Sequence, residues 1–125
     1  MDRDAFGRWL EAYFAAWASN EPDDVAALFT EDATYVVGPF ADVWEGRDEI
    51  VRRWTSGAQG DVEYAYEVLA AEGETGIAHW NVKALSEGEP HRVEWDGILL
   101  ITLAPDGRCR DHREWLVRRE ELPAG

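Results

Sequence analysis

The chain has 125 residues, with 26 acidic side chains against 12 lysines and arginines and a formal net charge of −14. A surface this acidic repels nucleic acid and anionic membranes, so neither is an expected partner. A hydrophobic content of 46% with seven tryptophans excludes a disordered chain and fits one domain, 1–125, with a real core.

Residues 2–19 carry Phe6, Leu10, Tyr13 and Trp17 at steps of four, three and four, which predicts an amphipathic helix. Ser19-Asn20-Glu21 stops it. Pro22 suits the first turn of a second, short helix through Val25, Leu28 and Phe29, with Asp23 and Asp24 at its positive end. ATYVV (33–37) has the β-branched and aromatic content of a strand, and Gly38-Pro39 breaks it. After a loop to Trp44-Glu45-Gly46, GRDEIVRRW predicts a third helix with Ile50, Val51 and Trp54 inward and Arg52-Arg53 on its solvated face. Residues 61–70 alternate Val62, Tyr64, Tyr66 and Val68 against Glu63, Ala65, Glu67 and Leu69, which predicts a strand. The stretch 77–85 predicts another. Then RVEWDGILLITL, the turn APDG and RCRDHREWLVRR predict two long strands joined by a tight connection. The expected class is α+β, with helices covering one face of a curved antiparallel sheet.

The totals and the ends add little chemistry. Cys109 is the only cysteine, so no intrachain disulfide and no cysteine metal cluster can form. MDRDAFGRWL lacks the apolar run of a signal peptide, and no stretch reaches the roughly 20 apolar residues of a membrane span. A cytoplasmic location is the expectation. No phosphate loop, nucleophile elbow or dinucleotide fingerprint occurs.

YFAAWASNEPDDVAALFTEDATY, WEGRDEIVRRW and DGRCRDHREW together resemble the nuclear transport factor 2-like superfamily, in its SnoaL-like branch. The resemblance implies a cone-shaped curved antiparallel sheet with three helices packed on its concave face, enclosing a pocket, and a homodimer. Such cones host ketosteroid isomerases, polyketide cyclases, epoxide hydrolases, dehydratases and proteins without chemistry, so fold alone does not assign function. Position by position, Tyr13 matches the isomerase tyrosine, whereas the isomerase base falls on Val37 and its second donor near Leu99. The arginine–aspartate pair of limonene-type epoxide hydrolases falls near His79 and Asn81. Asp111-His112-Arg113-Glu114 resembles the last-strand motif of SnoaL-type cyclases, with His112 and Glu114 in phase with that family's histidine and acid.

Glu114 and His112 are two apart on a strand and so share a face. In the family register Glu114 projects into the cone among Trp95, Leu99 and Tyr13, where an apolar setting raises a carboxyl pKa and suits acid/base work. The plainer reading is an ion pair with Arg110, Arg118 or His112. His112 would shuttle a proton or tune Glu114. Hydrophobic alternation turns Trp80 and Val82 inward, whereas the family register turns His79 and Asn81 inward; a sheet covered on both faces accommodates both, and we expect His79 inside. His79, His112 and Glu114 would make a two-histidine, one-carboxylate set, but no local spacing supports it, and neither metal nor cofactor is expected. Tyr13, Trp17, Asn81, Trp95 and Leu99 are expected to line a small-molecule pocket, and the outer sheet face bearing Trp80 and Trp115 to form the homodimer contact.

The implied function is cofactor-free acid/base chemistry on an apolar cyclic substrate: a cyclisation, isomerisation or dehydration. Glu114 would transfer the proton, with His112 and His79 as partners and Tyr13 as hydrogen-bond donor. The alternatives are a non-catalytic ligand-binding or protein-interaction module, and an epoxide hydrolase in which Glu114 activates water.

Overall fold

Nine elements follow one another in the computed structural model, which describes residues 2–57, 59–86, 88 and 90–120. They are α1 (Arg3–Ser19), α2 (Pro22–Ala26), β1 (Phe29–Val37), β2 (Trp44–Glu45), α3 (Arg47–Thr55), β3 (Gln59–Glu72), β4 (Thr75–Ser86), β5 (Val93–Leu103) and β6 (Cys109–Glu120). The helix boundaries follow local chemistry. Asp2 caps α1 by accepting from the Ala5 N–H at 2.7 Å, and Asn20 ends it in the left-handed region at φ 53°, a conformation asparagine tolerates.

The second helix is shorter than expected. It stops at Ala26, and Phe29 opens β1 because the chain there is claimed by the sheet. The Leu28 carbonyl accepts the Cys109 N–H at 2.7 Å and the Trp9 indole N–H at 3.2 Å. These bonds are long-range, so local helix signals could not show them.

The six strands form one sheet in the order β2-β1-β6-β5-β4-β3. The β3–β6 portion is antiparallel, whereas β1 pairs parallel with β6. Register shifts interrupt β3 between Gly60 and Glu63 and between Val68 and Ala70, and such bulges bend and twist a sheet. The result is an α+β fold with an open, curved sheet.

The inner face is covered by α1, which buries Phe6, Leu10, Tyr13 and Phe14 completely. Against it lie Ala78, Trp80, Val82, Leu99 and Ile101 from the middle strands. Burial on this scale, at roughly 1.5–3 kcal/mol per large side chain, holds the helix to the sheet. Trp80 is fully buried, so the expected dimer surface loses that residue. Trp115 remains exposed on the outer face at 44%, with Val117 at 72%. Among the described residues, no helix is long and apolar enough to cross a membrane.

Trp80 fits because its partner across the ladder is Gly97. A Cβ on Gly97 would sit 2.5 Å from the Trp115 carbonyl oxygen and 3.0 Å from both Leu116 Cβ and Trp80 Cε2. Overpacking of this kind costs roughly 1–3 kcal/mol. Gly97→Ala is therefore expected to lower the urea midpoint by that amount of stability, and an unchanged midpoint would show that the strand relaxes freely around it.

Candidate functional site

The site starts from the geometry of β6. Leu103 pairs with Cys109 and Thr102 with Asp111, leaving Arg110 as an extra residue in the ladder. That bulge resets the alternation, so Cys109, His112 and Glu114 are all buried. Ladder pairing then sets Tyr35 of β1 beside His112 and Val37 beside Glu114, and α1 lowers Tyr13 onto the same spot.

Four side chains form a buried hydrogen-bonded chain. His112 Nε2 lies 3.2 Å from the Tyr13 hydroxyl, which lies 3.1 Å from the Tyr35 hydroxyl. Tyr35 in turn donates to Glu114 Oε1 at 3.3 Å. The Tyr35 ring stacks on His112 at 3.7 Å and 4°, and on its other side stacks with Trp44 at 4.6 Å and 7°. His112 Nδ1 and Glu114 Oε2 are buried without a hydrogen-bond partner among the described residues, an unusual state for buried polar atoms.

Burial sets the protonation states. It pushes the Glu114 carboxyl up to about 8, with the Tyr35 hydrogen bond pulling weakly the other way. It pulls the His112 imidazole down to about 3. Both tyrosines are pushed well above their usual range by burial and by the Glu114 charge. At neutral pH the site therefore holds a neutral carboxylic acid and a neutral imidazole. This is the opposite of an ion pair, and Arg110 is engaged instead with Glu74 at 2.5 Å.

Tyr35 also borders a cavity of about 270 Å³ whose walls include Trp17, Trp44, Trp54, Arg53 and Gln59. The Trp17 indole N–H donates to the Gln59 side-chain oxygen. A larger groove of about 620 Å³ runs along α1 past Ala12 and Ala15, but it touches none of the four linked side chains. Of the two, the smaller cavity is the one that meets that chain, through Tyr35.

The structure thus brings Glu114, His112 and Tyr13 together. Leu99 is buried opposite Glu114 in the ladder, Trp17 lines the cavity, and the partly buried Trp95 ring lies 6.0 Å from that of Trp17. His79 and Asn81 do not join them. Ala78, Trp80 and Val82 take the inner face of β4, so period-2 alternation turns His79 and Asn81 outward. There His79 contacts Asp96 at 2.9 Å and Glu67 at 3.4 Å, and Asn81 donates to Glu94 at 2.8 Å. The hydrogen bond that His79 donates to the Asp96 carboxylate raises the imidazole pKa. His79 is thus across the sheet from His112 and Glu114, and these three cannot share a metal. Among the described residues, no group of three or more His, Cys, Asp or Glu side chains is placed to hold one.

Two residues escaped sequence reasoning. Tyr35 alternates with the buried Ala33 in ATYVV, a signal that was available. Arg53, expected on a solvated helix face, lines the cavity instead, and its position depends on where α3 docks.

A family profile for the SnoaL-like domain matches residues 10–112. The chain belongs to the SnoaL-like domain family. No curated protein matches it by sequence. Among solved structures, this SnoaL-like domain is similar to the epoxide hydrolase/cyclase-like enzyme SalBIII, described for pyran ring formation in the polyether salinomycin. The TM-score is 0.79 at 19% identity, covering 96% of this chain and 98% of that one. A protein proposed to be a scytalone dehydratase from Novosphingobium aromaticivorans gives 0.77 at 16% identity, over 97% and 88% of the two chains. A ketosteroid isomerase-like protein from Erwinia carotovora gives 0.69 at 17%, over 89% and 92%. At these identities the likeness shows the nuclear transport factor 2-like fold. The chemistry of each neighbour remains its own.

Proposed function

We propose that this SnoaL-like domain is a general-acid enzyme that protonates an oxygen of a small cyclic substrate, driving a dehydration or a ring-forming C–O cleavage. One observation carries the reading: Tyr35 belongs both to the buried chain ending in Glu114 and to the wall of the cavity. Tyr35 would give its hydroxyl proton to the substrate oxygen as the C–O bond breaks with its electron pair. The step needs the 3.3 Å bond reversed, with the hydroxyl turned to the substrate and the acid proton on Oε1, so that Glu114 donates to Tyr35 as the Tyr35 proton leaves. The resulting carboxylate recovers a proton, through Tyr35, from the substrate C–H in a dehydration or from the attacking hydroxyl in a cyclisation. An acid whose pKa lies near the working pH is suited to giving and regaining a proton in this way. The similarity to a cyclase-like enzyme and to a proposed dehydratase is consistent with it.

The test is a panel of one- and two-ring β-hydroxy ketones and hydroxy-epoxides, with products resolved by mass and chirality. Tyr35→Phe keeps the stacking on His112 and Trp44 but removes the transferable proton. It is expected to slow turnover by roughly 10²- to 10⁴-fold while changing ligand affinity little. Turnover at the wild-type rate in Tyr35→Phe would refute the assignment. Ligands that bind wild type and are all recovered unchanged would favour a carrier, a reading supported by the near-complete sealing of Glu114 from solvent.

A further inference from the structure

We infer that the cavity takes a planar one- or two-ring molecule bearing a single carboxylate, with Arg53 as the anchor for that group. The inference deepens the acid-catalysis reading by naming the substrate class, and its binding arm stands apart from turnover.

Three observations lead there. The first is charge. Among the described residues lining the cavity, Arg53 is the one charged side chain, in a chain whose net charge is −14. An acidic protein that keeps carboxylates off a pocket wall and sets a guanidinium there favours an anionic guest.

The second is the state of that guanidinium. Arg53 Nε donates to Glu49 Oε1 at 3.1 Å, and Arg52 approaches the same oxygen at 3.9 Å. Two arginines thus share one carboxylate. Neither terminal amino group of Arg53 has a protein partner among the described residues. A planar fork with two free N–H₂ groups matches one carboxylate in a bidentate pair. A phosphate dianion fits less well beside Glu49 and under the overall negative charge.

The third is the stack. The Arg53 guanidinium carbon lies 5.7 Å from the centre of the Trp44 ring, a cation–π distance. Trp44 stacks on Tyr35, and Tyr35 on His112. The anchor is therefore two layers from Tyr35, the residue that would deliver the proton. Trp17 and Trp54 add flat aromatic walls. At about 270 Å³ the space falls below the usual roughly 300–1,000 Å³ of ligand pockets, which limits the guest to one or two rings.

The experiment is calorimetric titration with 2-naphthoate and its neutral isostere 2-naphthamide at low salt, on wild type, Arg53→Gln, Arg53→Lys and Tyr35→Phe. A charge-assisted pair at a site whose arginine side chain is 39% exposed should give wild type about a tenfold preference for the carboxylate. Arg53→Gln should erase that preference by weakening naphthoate alone, and Arg53→Lys should retain only part of it. Tyr35→Phe should retain it in full. Equal affinity of wild type for the two compounds, no binding of either, or equal weakening of both by Arg53→Gln would overturn the inference. So would tighter binding of 2-naphthyl phosphate than of naphthoate. A preserved preference in a protein that transforms no compound would sink the acid-catalysis reading alone. Turnover of neutral substrates without the preference would sink this one alone.

Discussion

Glu114→Gln is expected to slow turnover by roughly 10²- to 10⁴-fold while changing stability at pH 7 by no more than about 1 kcal/mol, the scale of an ordinary hydrogen-bond exchange. The two expectations come from one fact. Burial holds the carboxyl protonated up to about pH 8, so at neutral pH the side chain is an uncharged group of nearly the same shape as glutamine. The amide can still face the Tyr35 hydroxyl, and no buried charge is created or stranded. What it cannot do is release a proton. A carboxylate locked in a structural ion pair would behave differently, because deleting one member of a buried pair costs roughly 3–5 kcal/mol. Product formation measured alongside urea denaturation at pH 7 separates the cases. A wild-type rate would remove Glu114 from the chemistry, and a stability loss of several kcal/mol would return it to a structural role.

How much of this was legible in the sequence depends on the range of the interaction behind each feature. The i, i+2 spacing of His112 and Glu114 places them on one face, and alternation in 61–70 separates the set that packs on the core, Val62, Tyr64, Tyr66 and Val68, from the exposed one. Both are local patterns. Strict alternation from the buried Cys109 would have turned His112 outward; the extra Arg110 in the ladder corrects it, and a bulge leaves no mark in local periodicity. His79 faces outward, against the family register, because Trp80 and Val82 fill the inner face of β4 as the hydrophobic pattern states plainly. Tyr35 becomes a site residue only when β1 pairs in parallel with β6, residues far apart in the chain. Arg53 is the extreme case. A basic pair on an amphipathic helix reads as solvated, and only the docking of α3 beside Trp44 and Tyr35 makes one member a cavity wall.

The buried pair should also shape stability against pH, with a sign that identifies each partner. Glu114 is raised from 4.5 to about 8 in the fold, so between those values the native state holds a proton that the unfolded chain has lost. Its contribution to stability is full below about 4.5 and declines as pH rises to about 8. His112 is lowered from 6.5 to about 3, so there the unfolded chain holds the extra proton, and stability declines as pH falls from 6.5 towards 3. Each slope is about 1.4 kcal/mol per pH unit. Between about 4.5 and 6.5 the two cancel, and from about 6.5 to 8 Glu114 acts unopposed, for a loss on the order of 2 kcal/mol. His79, whose pKa Asp96 raises, adds a decline of the same sign in the upper window, so wild type alone does not isolate Glu114. Glu114→Gln does. It should flatten the upper limb to the His79 part and convert the plateau into a rise, because His112 is left without its counterweight. Urea denaturation of both proteins at half-unit steps from pH 5 to 8 measures this directly. Parallel curves would mean that Glu114 titrates alike in the folded and unfolded chain. In that event it would hold no proton at neutral pH to give to Tyr35, and the acid would have to be sought elsewhere along the cavity wall.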